Sequence, residues 1–148
     1  MLLTLPQLKS TYIDTGLVRY VLKDFPLSSH ANATAAAGAA RCAGAQGAYW
    51  AMHHLLFDRQ QQWSSQGAEQ VIRSFVAYAG ELDLDPATFQ ECLDADEFGD
   101  QIRQDVWDGE QAGVRGTPSF LINGQLIQGT HSFQTFQDLI EVELEKTR

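Results

Sequence analysis

The chain has 148 residues, of which 44% are hydrophobic and 20% charged, and a formal net charge of −9. That is one ordinary domain with enough apolar side chains for a real core, which excludes disorder. The acidic balance, with ten scattered Lys and Arg, excludes non-specific binding to nucleic acid or to anionic membrane, since both are polyanions.

No stretch is long enough to span a bilayer. The opening "MLLTLPQLKS" does not read as a signal peptide, because Thr4 and Pro6 interrupt its apolar run and no basic leader precedes it. No export address is therefore expected, and localisation stays open. The two cysteines, Cys42 and Cys92, form no Cys-x-x-Cys, which excludes zinc held by clustered thiols.

Leu2, Leu5, Leu8 and Tyr12 recur at helical spacing, so a helix opens the chain, with Pro6 in its first turn or at a kink and Gly16 ending it. "LVRYVLKDF" (17–25) reads as a strand that is apolar on both faces, the kind that lies inside a sheet. Pro26 ends it, and Ser28 or Ser29 is a candidate cap for the next helix. From there to about Gly113 the pattern is helical.

"ANATAAAGAARCAGAQ" is one helix, with small residues that allow close packing. "GAYWAMHHLLFDR" is a second, with Trp50, His54 and Phe57 on one side. Residues 67–80 form a third, turning Val71, Ile72, Phe75, Val76 and Ala79 inward. Asp85–Pro86, a cap followed by proline at the first helical position, starts a fourth that buries Phe89, Cys92 and Leu93. Phe98, Ile102 and Val106 mark a fifth, closed near Gly109 or Gly113. "PSFLI", Asn123–Gly124 and "QLIQG" then read as a hairpin, because both central turn positions need positive φ. An amphipathic helix carrying Phe133, Phe136, Leu139, Ile140 and Leu144 ends the chain. The order is that of an α/β or α+β fold with helices inserted between sheet elements.

Several chemistries find no support. No His-x-x-x-His spacing joins His30, His53, His54 and His131, so no metal is expected. The acidic residues between Glu81 and Asp100 lack the order of a calcium loop and read as a solvated face with capping carboxylates. No glycine-rich phosphate loop and no serine elbow is present. What remains is "VRGTPSFLING". Gly116 permits a tight turn, and Pro118, having no N–H to donate, belongs at the start of the strand. Spacing alone leaves the isomer of its imide bond open.

This block resembles the C-terminal half of DsbA-like thiol–disulfide oxidoreductases of the thioredoxin superfamily. "LPQLKSTYIDTGLVRYVLKDFPL" is similar to the segment after that family's redox motif. "AARCAGAQGAYWAMHHLLF" and "FQECLDA" are similar to its helical insertion. The resemblance runs in order along nearly the whole chain. It implies a single α/β domain with a thioredoxin-like fold: the thioredoxin part at 1–27 and 114–148, and an all-helical insertion at 28–113. It also implies a cis Thr117–Pro118 bond and a substrate-contact role for Thr117 and Pro118, with Arg115 and Gly116 at the rim. The expected partner is a protein or peptide substrate, and no organic cofactor or metal is implied.

The departure from the family lies at the thiols. Members carry a strand and then Cys-x-x-Cys at the start of the first helix, where the helix dipole lowers the attacking thiol's pKa. Here Met1 falls inside that helix, so the first, central strand and the dithiol are missing and no catalytic residue is assigned. Disulfide exchange needs a thiolate nucleophile, so the parent activity on protein disulfides is expected to be absent from this chain. A non-catalytic, peptide-binding thioredoxin-like module is the alternative reading. A truncated reading frame and a genuine module would differ in the DNA before the Met1 codon.

The missing strand would leave edges beside 17–25 and 118–122, filled by another chain, as in a homodimer through exposed sheet edges, or by closure of the two strands on each other. Cys42 and Cys92 are either two buried free cysteines or a structural disulfide, since some members of the family carry a second, non-catalytic bridge in this region.

Overall fold

A computed structural model of the chain describes residues 4–147; Met1 and Leu2 of the expected opening helix lie outside the described residues. The chain divides into two compact units, residues 1–23 with 108–148 and residues 24–107. Each boundary lies a few residues before the one expected from the sequence.

The first unit opens with α1 (Thr4–Leu8), which continues as a π-helical turn over Lys9–Ile13. Gly16 ends it at φ 77°, and the main-chain N–H groups of Leu17 and Val18 both donate to Tyr12 O. After Val114 come β1 (Ser119–Ile122), β2 (Gln125–Gln128) and a final helix, here α8 (Phe133–Glu145). Asn123 and Gly124 take φ 47° and 89°, the two left-handed positions a two-residue hairpin turn demands. Ser132 caps α8 by accepting from Thr135 N. Leu8, Tyr12, Phe136 and Ile140 form this unit's core, with Val18, Phe120, Ile122, Phe133 and Leu144 packed on it. The buried Tyr12 hydroxyl donates to Glu141 at 2.7 Å.

The strand expected at 17–25 is not formed. Among the described residues the sheet has two strands, β1 and β2, in antiparallel register from Ser119↔Gln128 to Ile122↔Gln125. The two flanking segments do not close on each other either. The propensity is nevertheless visible: Leu17, Arg19, Val21 and Lys23 are exposed, while Val18, Tyr20 and Leu22 are half-buried. That period-two alternation is a strand's. Local preference sets the side-chain alternation, but a strand also needs a neighbour to take its N–H and C=O groups.

The second unit is helical: α2 (Ala33–Ala45), α3 (Tyr49–Asp58), α4 (Gln60–Trp63), α5 (Ala68–Glu81), α6 (Pro86–Asp94) and α7 (Gly99–Gln111), the last running past the unit's boundary. Ala36, Ala39, Ala40 and Ala43 repeat at helical spacing and are buried, so neighbours approach the α2 backbone closely. A Cβ at Gly44 would lie 3.2 Å from Tyr49 Cβ. Phe75, Phe89, Met52 and Val71 fill the centre, and each such side chain contributes roughly 1.5–3 kcal/mol on burial. Trp50, His54 and Phe57 do share a side of α3, and it is the open one; Met52 and Leu56 face the core.

Two polar devices organise this unit. Neither Ser28 nor Ser29 caps α2. Asn32 occupies the cap position without a side-chain cap bond. Its buried amide turns the other way, donating to Trp63 O, Ser64 O and Gln66 O at 3.1, 3.2 and 2.9 Å. Those carbonyls lie at and just beyond the end of the short α4, a helix that residue spacing does not separate from α3. Arg41, in turn, bridges Asp24 at 2.6 Å and the buried Asp105 at 2.5 Å. Asp85 caps α6 by accepting from Ala87 N and Thr88 N.

Candidate functional site: the Thr117–Pro118 loop

The loop begins where α7 ends. Gly113, at φ 87°, turns the chain out of the helix, and Val114 N donates back to Gly109 O at 2.9 Å. Val114 is buried and anchors the near end. At the far end the Thr117–Pro118 peptide bond is cis, and Gly129 N donates to Pro118 O at 2.8 Å. Ser119 Oγ donates to Gly116 O at 2.7 Å and pins the bend from inside.

Between these anchors the backbone is open. No described residue hydrogen-bonds to the N–H or C=O of Thr117, which is exposed. Two main-chain groups on one exposed residue are what an incoming strand would pair with. Gly116 does not adopt a left-handed φ, so the turn does not require glycine there. A Cβ at that position would meet nothing within 4 Å, so glycine leaves the space in front of the loop clear.

A cavity of about 280 Å³ sits here, lined by residues 115–119 with Gln128 and Gly129. The four residues assigned from the sequence, Arg115, Gly116, Thr117 and Pro118, thus share one cavity. Sequence reasoning misses Ser119, Gln128 and Gly129. The hairpin register contains them: a two-residue turn at Asn123–Gly124 pairs Ser119 with Gln128 and sets Gly129 beside Pro118. Arg115 is exposed, its Nη1 donating to Val114 O at 3.2 Å and Glu110 O at 3.4 Å. Gln128 Nε2 reaches Gly113 O at 3.4 Å.

The thiols are elsewhere. Cys42 on α2 and Cys92 on α6 form a disulfide within the helical unit, Cα–Cα 5.9 Å, and both residues are buried in its core cluster. With two cysteines in the whole sequence, both bonded, the chain holds no free thiol. No group of three His, Cys, Asp or Glu side chains converges among the described residues. His54 bonds Trp50 O and His131 bonds Gln128 O through their rings.

Comparison with known proteins agrees with this architecture. A family model described as thioredoxin matches residues 2–142. The oxidised crystal structure of BdbD from Bacillus subtilis superposes with a TM-score of 0.80 at 22% identity, covering 95% of this chain and 76% of that one. Wolbachia pipientis alpha-DsbA1 gives 0.79 at 21%, covering 97% and 76%. A Na(+)/H(+) antiporter, NhaA 1 of Salinispora arenicola, is 34% identical over 145 residues, 97% of this chain. The chain spans only about a fifth of the antiporter relatives' length, and among the described residues no helix is long and apolar enough to cross a membrane. The chain belongs to the thioredoxin family: its fold is like that of alpha-DsbA1, and its sequence holds no Cys-x-x-Cys.

Proposed function

We propose that this chain holds extended polypeptide in the Thr117–Pro118 loop and performs no disulfide exchange by itself. The observation that carries the reading is the pairing of an open Thr117 backbone over a cavity with the absence of any free thiol. A substrate strand would add to Thr117 through its N–H and C=O, the usual way an extended peptide joins an exposed edge. Exchange requires a thiolate to attack a disulfide sulfur, and the bond between Cys42 and Cys92 is shut inside an apolar core. The substrate class is protein or peptide with an extended stretch free to dock, and the thiolate must be supplied by a group other than these two cysteines.

The antiporter relatives favour a second, narrower reading. A segment similar to this chain makes up about a fifth of those proteins, which suits a binding module used within larger assemblies. In either case the loop binds.

Titration of the isotope-labelled chain with an unlabelled extended peptide, followed by amide NMR, tests the proposal. Perturbations are expected at Gly116, Thr117, Ser119 and Gly129. Saturable perturbations confined to the helical unit would overturn it, as would none at all.

A further inference from the structure

Acidic residues outnumber basic ones in this chain by 19 to 10, and Arg41, Arg59, Arg73 and Arg103 each hold a carboxylate within 4 Å. Arg115 does not. Among the described residues it has no acidic partner; Nη1 donates to two main-chain carbonyls instead. It is also the one charged side chain among the residues lining the cavity. A guanidinium carries five N–H donors in a planar fork, so carbonyls gripping Nη1 position the group while Nε and Nη2 remain for a ligand. That fork matches a carboxylate, which takes two parallel hydrogen bonds from it. The charge around it is not prohibitive: residues 1–23 and 108–148 hold six Lys and Arg against seven Asp and Glu, while residues 24–107 hold four against twelve.

We infer that Arg115 makes the loop selective for extended peptides bearing an Asp or Glu side chain near the residue paired with Thr117. This rests on the peptide-holding reading of the loop. Arg115 acts as a specificity residue: the Thr117 backbone binds main chain of any sequence, and the guanidinium adds affinity only where a carboxylate reaches it. Arg115 is exposed, so the gain is that of a solvent-screened ion pair, about fivefold in affinity.

The test uses fluorescence anisotropy with short labelled peptides of Ala, Ser and Thr, in which a single Glu, Gln or Lys is walked along the sequence. The unaltered chain, Arg115→Gln and Arg115→Lys are compared at low and high salt. At one position the Glu peptide is expected to bind about fivefold tighter than the Gln peptide, with the Lys peptide weakest. The ratio should fall to one in Arg115→Gln and at high salt, and survive in part in Arg115→Lys, which keeps the charge without the fork. Weakening of all three peptides together in Arg115→Gln would confine Arg115 to holding the Glu110 and Val114 carbonyls and overturn the assignment. Equal binding of the three peptides at every position overturns the selectivity and leaves the loop reading intact. A preference that persists in Arg115→Gln overturns the assignment to Arg115. Binding of no peptide removes the selectivity and the reading beneath it together.

Discussion

Cys42 and Cys92 are bonded to each other across α2 and α6, which consumes every thiol in the chain and closes a loop with a sequence separation of 50. The bridge is structural: it lies in a core cluster with Ala39, Ala43, Phe75 and Phe89. Constraining a loop of that length in the unfolded chain is worth about 4 kcal/mol. Replacing both cysteines by alanine should lower the free energy of urea unfolding by about that amount or somewhat less, without changing peptide binding at the loop. An unchanged unfolding midpoint would show that the bridge constrains nothing.

Asn32 is a donor that three carbonyls share, and its position at the start of α2 disguises that role. Asn32→Ala should cost about 2 kcal/mol, because it strips the partner from the buried Trp63 oxygen and from the partly buried oxygens of Ser64 and Gln66. Asn32→Asp should cost more, since it aims an anion at the same carbonyls. Chemical denaturation of the two variants beside the parent checks the order. A milder effect from aspartate would mean that the side chain caps α2 after all.

His53 sits among Tyr49, Trp50, His54 and Phe57, its ring centroid 4.9 Å from that of Phe57. Its buried Nδ1 has no hydrogen-bond partner among the described residues. Burial, with the adjacent His54 adding to it, holds its pKa below the ordinary value. The folded chain therefore binds this proton less readily than the unfolded chain does. Stability from the neutral ring is full above the unfolded pKa of about 6.5 and is lost as pH falls from there through the lower pKa of the folded chain. In His53→Phe the drop in melting temperature from about pH 7.5 to 5.5 should be smaller than in the parent. At neutral pH the variant should be neutral, or more stable by up to about 1 kcal/mol, because it removes an unsatisfied polar atom. Identical drops in the two proteins would show that His53 is not the group responsible.

The helices of the second unit are legible from spacing because each is determined by its own residues: the α5 positions Val71, Phe75 and Ala79 fall on one face in any context. The hairpin is equally local, decided by Asn123 and Gly124. The 17–25 segment fails for the opposite reason. Its side chains alternate as a strand's do, but the ladder depends on a partner no local pattern reports. The site shows the same division. Arg115 to Pro118 are contiguous and can be named directly. Gln128 and Gly129 enter the cavity through strand register, and the reach of Asn32 to three carbonyls depends on how α4 returns toward α2. Gly116 is expected from its residue type to turn the chain, whereas its contribution is the empty space in front of the loop.

A chain that grips substrate in the Thr117–Pro118 loop but has no free thiol should leave the substrate's disulfides alone. Reduction of insulin by dithiothreitol, followed by turbidity with increasing amounts of the chain, measures this most directly. The onset and rate of precipitation should match dithiothreitol alone at every concentration. Saturable acceleration that scales with the chain and vanishes in the double Cys42→Ala, Cys92→Ala variant would contradict it, because it would place a working thiol pair where the structure shows a sealed bridge.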